Sequence, residues 1–251
     1  MKSRLVIILF SITTVIFLFL LLLCRLNGYK DSLRFHLDPL EESGRELQPD
    51  LEANGFWIIG DSRAAGWETF QLDFIRIKSL NLGIVGQTSR QVLERFRNDI
   101  DRSRPYCILL QVGINDLKCI GLLKDETITR TCIRNILLIL ETCKKNEIKA
   151  IYSSIFPPGD IELFRRPFWE PTTMDSLTTV NAVIKNYCQK NGFIYFDTFK
   201  LLESQINPGI VINEYQKDFL HINARGYEHI SDRLQDLLGS VDEDWVKYLI
   251  E

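Results

Sequence analysis

Five short candidate strands, four of them mainly apolar and Ile77 to Asn81 more polar, separated by stretches with the three-to-four-residue period of amphipathic helices, constrain this chain more than any other feature. They are Gly55 to Ile59, Ile77 to Asn81, Tyr106 to Val112, Ile148 to Ser153 and Phe193 to Phe196. Apolar runs without polar alternation suit strands buried on both faces, and strands that alternate with helices are joined by right-handed crossovers into a parallel sheet. Helices are expected over Thr88 to Ile100, capped by Thr88 or Ser89, over Glu126 to Lys145, over about Thr173 to Gln189 and over Ala224 to Leu238. In the second of these, Ile128, Cys132, Ile136 and Ile139 form the apolar stripe. The expected fold is α/β: a three-layer α/β/α, flavodoxin-like sandwich around a parallel sheet of about five strands, with every loop that follows a strand on one edge.

The remaining composition is that of an ordinary globular domain. The chain has 251 residues, 45% of them hydrophobic, and a formal net charge of -3, which suits a single sizeable core. Near-balanced charge lacks the basic surface that neutralising phosphates requires, so no nucleic-acid partner is expected. The six cysteines are scattered, with Cys24 in an apolar N-terminal run and Cys107, Cys119, Cys132, Cys143 and Cys188 in the body. Their spacing is not that of a metal site, and no metal or cofactor is expected. Most read as buried thiols, with a Cys119 to Cys132 disulfide left open.

Leu5 to Cys24 runs without a charge, long enough as a helix to span a bilayer. A cleaved signal peptide has a shorter apolar core and ends in small residues, whereas this run ends Leu21-Leu22-Leu23-Cys24-Arg25. Residues 1–24 therefore read as an uncleaved single-pass anchor, residues 25–54 as a polar linker carrying Gly28, His36, Pro39, Gly44 and Pro49, and residues 55–251 as the globular domain. Lys2 and Arg4 before the span nearly balance Arg25, Lys30 and Arg34 after it. The reading adopted is a short basic tail with the domain exported.

Four short blocks fall after expected strands or before the last expected helix. They are Gly60-Asp61-Ser62, Asn81-Leu82-Gly83-Ile84-Val85-Gly86-Gln87-Thr88, Gly113-Ile114-Asn115-Asp116 and Asp218-Phe219-Leu220-His221. Each alone is weak, but four in this order at these places are specific. Together they resemble the SGNH, or GDSL-type, esterase and lipase superfamily over roughly Gly55 to Leu238. The resemblance implies a serine hydrolase with Ser62 as nucleophile, His221 as base and Asp218 as its orienting acid. It also implies an oxyanion hole made by the backbone N–H groups of Ser62 and Gly86 and the Asn115 side chain. Arg63 departs from the family, which more often has an apolar or small residue after the serine.

These residue types suit that chemistry. A serine hydroxyl needs a base within hydrogen-bond reach and a third group to orient the base, and the Asp218 to His221 spacing lets one local turn supply both. A glycine lets backbone approach a substrate closely, and an amide donates without adding charge. Gly83 reads as plain turn chemistry, and Asp61 and Asp116 as structural. Phe156 to Thr172, rich in proline, opens on the active-site edge and reads as a lid or substrate wall, with Arg63, Arg165, Arg166 and Trp169 as candidate substrate contacts.

The expected activity is cleavage of a carboxylic ester of a lipid or an acylated glycan through an acyl-enzyme, by a membrane-held enzyme. The alternatives are transfer of the acyl group to an envelope-glycan hydroxyl and a catalytically silent binding module on the same fold. Substrate identity and oligomeric state lie outside what the sequence specifies.

Overall fold

The computed structural model describes residues 2–37, 53–121, 125–161, 163, 166 and 169–250. These fall in two compact units, Met1–Glu41 and Glu42–Glu251. The first holds one long helix, α1 (Lys2–Leu37), within which Val6–Gly28 is long and apolar enough to cross a membrane. The helix thus continues past the expected boundary at Cys24 into the segment read as linker. Gly28 is tolerated there because each residue added to an existing helix gains a backbone bond. Residues 38–52 of the expected linker lie outside the described residues.

The second unit is built on five parallel strands: β1 (Phe56–Gly60), β2 (Ser79–Gly83), β3 (Cys107–Gln111), β4 (Lys149–Ser153) and β5 (Ile194–Phe196). Their order is β2-β1-β3-β4-β5, so the chain reverses direction across the sheet between β1 and β3. In open α/β sheets the crevice at such a reversal, outside the strands' carboxyl ends, is where ligands bind. All of β1 and β3 is buried, as their unbroken apolar runs require.

Alternate residues of these strands serve two faces. Phe56, Ile58, Cys107 and Leu109 pack with Ile230, Leu234 and Leu238 of α8 (Ala224–Gly239) and with Trp245, Val246 and Leu249 of α9 (Asp244–Ile250). Trp57, Ile59, Ile108 and Leu110 point to the opposite layer, formed by α3 (Ser89–Arg102), α5 (Asp125–Lys145) and α6 (Thr173–Asn191). The α/β/α sandwich is therefore present, and each expected strand and helix falls within two residues of its observed bounds. Thr88 caps α3 through a reciprocal box with Gln91, and the predicted stripe of α5 is buried from Ile128 to Ile139.

The close approach of β1 to β3 depends on one glycine. Gly60 has φ +153°, and a Cβ there would lie 1.7 Å from the Gln111 carbonyl oxygen. Only a residue without a side chain lets the two strands stay paired where the chain leaves the sheet.

Candidate active site

Ser62 stands at the start of α2 (Ser62–Ala65), a single turn that begins immediately after β1. Asp61 caps this turn: its carboxylate accepts from the Arg63 N–H at 2.8 Å. Burial pushes the Asp61 carboxyl above its usual range, with the nearby Arg63 cation opposing that shift. Asn81 holds the other end of the turn. Its amide donates to the Ala64 carbonyl at 2.9 Å and to the Trp67 carbonyl at 2.6 Å, while its oxygen accepts from the Gly83 N–H at 2.8 Å. Gly83 is a packing position rather than plain turn chemistry, because a Cβ there would meet the Ala65 nitrogen at 2.2 Å.

His221 comes from a loop folded back on itself just before α8. Lys217 and Asp218 donate their N–H groups to the His221 carbonyl at 2.9 and 3.2 Å, and Gln216 bridges Ile222. This loop carries the imidazole to Ser62, with His221 Nε2 2.8 Å from Ser62 Oγ. On the far side His221 Nδ1 lies 2.9 and 3.0 Å from the two carboxylate oxygens of Asp218. An ionised carboxylate only accepts, so Nδ1 carries the hydrogen and Nε2 is left to accept from the serine hydroxyl.

Asp218 is held below the usual carboxylate range. Its partial burial works the other way, but the Leu220 N–H at 2.8 Å, the His221 ring and the His221 N–H at 2.9 Å outweigh it. Asp218 is consequently anionic at neutral pH and accepts from the Nδ1–H of His221.

Asn115 lies in α4 (Ile114–Leu117), the short turn that follows β3. It is buried, and its amide donates to the Gln87 carbonyl at 2.9 Å, which brings it against the turn containing Gly86. Gly86 has φ +83°, a left-handed conformation that favours glycine. Next to it, Asp116 accepts from the Ser89 N–H at 2.7 Å and the Ser89 hydroxyl at 2.6 Å, and Asn135 donates to that hydroxyl at 3.0 Å. The loops after β2 and β3 are thus pinned together through α3.

Among the expected substrate contacts, Arg63 is a correction. It is 1% exposed, with Nε donating to the Leu220 carbonyl at 2.8 Å and Nη1 to the Phe156 carbonyl at 2.7 Å. Its guanidinium lies 3.8 Å from the centre of the Phe156 ring, and the Tyr227 hydroxyl donates to its carbonyl at 2.9 Å. A side chain spent on these contacts faces no substrate. Its place in the sequence, beside Ser62, suggested a pocket; its direction is set by two carbonyls far along the chain.

Arg166 is exposed and donates to the Ile161 carbonyl at 3.3 Å within its own loop, and Arg165 lies outside the described residues. Trp169 meets Phe219 edge-on at 6.0 Å, which sets it beside the loop that carries Asp218 and His221. Cys119 and Cys132 are buried free thiols. His229 stacks on Tyr215 at 5.0 Å in α8, apart from the Ser62 contact that His221 makes. The role of Asn81 was not anticipated, although an asparagine ending an apolar run was its one visible signal.

Residues 55–229 match the model of the GDSL-like lipase/acylhydrolase family. Among solved structures, a GDSL-like lipase from Bacteroides thetaiotaomicron is 25% identical with a TM-score of 0.61, over 74% of this chain and 87% of that one. A lipolytic G-D-S-L protein from Veillonella parvula is 16% identical with a TM-score of 0.58, over 75% and 100%. An acetyl xylan esterase has the same identity of 16% and TM-score of 0.58, over 73% and 98%. The last two identities speak for the fold alone. No curated protein matches the sequence significantly. With a family match across most of the globular unit and the expected five-stranded parallel sheet, the chain belongs to the GDSL-like lipase/acylhydrolase family and is a serine esterase or acylhydrolase.

Proposed function

We propose that this protein is a membrane-anchored serine hydrolase that cleaves carboxylic esters of lipids or acylated glycans through an acyl-enzyme. The observation that carries the reading is the unbroken chain Ser62 Oγ to His221 Nε2 at 2.8 Å and His221 Nδ1 to Asp218 at 2.9 Å. Ser62 Oγ attacks the ester carbonyl carbon while its proton passes to His221 Nε2, and Asp218 stabilises the resulting imidazolium. The tetrahedral oxyanion is received by the N–H groups of Ser62 and Gly86 and the Asn115 amide, whose second hydrogen is left over from the bond to Gln87. Collapse expels the alcohol, which takes the proton from His221. Water, activated by the same base, then releases the acid.

Trp169 is proposed as a wall of the substrate entrance, and Arg166 as a contact at its rim. Val6–Gly28 is proposed as an uncleaved anchor, supported by its length and mean hydropathy of 3.1, with the hydrolase unit exported.

The test is hydrolysis of a short p-nitrophenyl ester by wild type and Ser62→Ala. Loss of at least about 10³-fold in kcat is expected, because nucleophile and base act as a unit. Undiminished turnover by Ser62→Ala would sink the mechanism.

A further inference from the structure

The bond chemistry above makes no use of Arg63, yet this residue carries a charge into a fully buried place. Burying a guanidinium is costly, and an apolar side chain of similar volume would fill the space without that cost. Among the described residues its Nη2 has no hydrogen-bond partner. What the other two nitrogens hold explains its presence.

The carbonyl that accepts from Arg63 Nε is that of Leu220, and the same peptide unit's N–H belongs to His221 and donates to Asp218 Oδ1 at 2.9 Å. A cation therefore holds the oxygen end of this unit and an anion the N–H end. Both bonds are charge-assisted, and the Arg63 bond lies where water does not compete. The Cα of His221 is attached directly to this unit, so its tilt sets where the imidazole goes. Arg63 Nη1 fixes the arginine itself to the Phe156 carbonyl, beyond β4, and the Tyr227 hydroxyl and Asp61 carboxylate hold its backbone. One side chain thus joins the nucleophile turn to the base-bearing loop across 157 positions of sequence.

We infer that Arg63 is a positioning residue: with Asp218 it holds the two ends of the Leu220–His221 peptide unit and so fixes the line along which His221 meets Ser62. The inference rests on the catalytic reading of Ser62, His221 and Asp218.

It is tested in the full chain with Arg63→Met and Arg63→Lys. The measurements are kcat and KM on p-nitrophenyl acetate, the second-order rate of labelling by a fluorophosphonate, and Tm. In Arg63→Met, kcat and the labelling rate should fall together by about 10- to 100-fold, with KM changed by less than about twofold, well below Tm. Arg63→Lys should recover part of both. A lowered Tm with kcat and labelling unchanged in the folded protein overturns the positioning role. If neither variant folds, Phe156→Leu removes the ring beneath the guanidinium and should lower kcat about two- to fivefold at constant KM, as expected when the cation loosens. Unchanged kcat in that variant overturns the role equally. Wild type that fails to label overturns the acyl-enzyme reading itself, whereas labelled wild type with fully active variants removes Arg63 alone.

Discussion

Two carboxylates near Ser62 carry opposite pKa shifts because their surroundings differ. Asp218 is partly exposed and surrounded by donors, and is held low. Asp116 is buried, and burial raises it to about 6 even though Ser89 donates to it twice. In the unfolded chain Asp116 has an ordinary pKa, so between about pH 4 and 6 the folded state binds more protons than the unfolded state. Stability from this group therefore falls as pH rises across that window and is flat above it. A shift of about two units corresponds to roughly 3 kcal/mol. In Asp116→Asn this dependence is gone. The Tm of the variant minus that of wild type should become more positive by several degrees from pH 4 to pH 7, and a pH-independent difference would refute the assignment.

At the scale of elements, the junction of β1, β3 and α2 is the most demanding piece of the unit. Gly60 combines φ +153° with a Cβ position 1.7 Å from the Gln111 carbonyl oxygen. Gly60→Ala forces β1 and β3 apart where Ser62 emerges. It should cost about 3 kcal/mol or more, read as a lower urea midpoint, and reduce activity in whatever fraction folds. The long periodic elements here were legible from spacing: the burial of Ile128, Cys132, Ile136 and Ile139 followed from it. The short ones were not. α2 and α4 are single turns set by caps and by contacts across the sheet, and α9 is too brief for its buried Trp245, Val246 and Leu249 to show a period. After Cys24, where polar composition suggests a linker, the backbone is helical to Leu37.

For the whole molecule, the division into units at Met1–Glu41 and Glu42–Glu251 has a direct consequence. Core, sheet and candidate triad all lie within the second unit, so a chain starting at Ala53 should fold alone, stay soluble without detergent, and retain kcat on a water-soluble ester within about twofold. Size exclusion and the p-nitrophenyl ester assay check this. Inactive or aggregated product would show that the N-terminal helix contributes to folding.

By itself the sequence determined the order of strands and helices, the parallel sheet, the apolar N-terminal helix and the four blocks that identify the family. All of these depend on local periodicity, local turn chemistry or motif order. Only the tertiary structure decided what Asn81, Gly83 and Arg63 do, since each acts through groups distant in the chain. Arg63 illustrates why. Beside Ser62 in sequence, its long cation suggested substrate; in the fold it reaches the carbonyls of Phe156 and Leu220. A side chain's direction depends on which distant backbone groups need a donor, and that is known only once the sheet has brought them together.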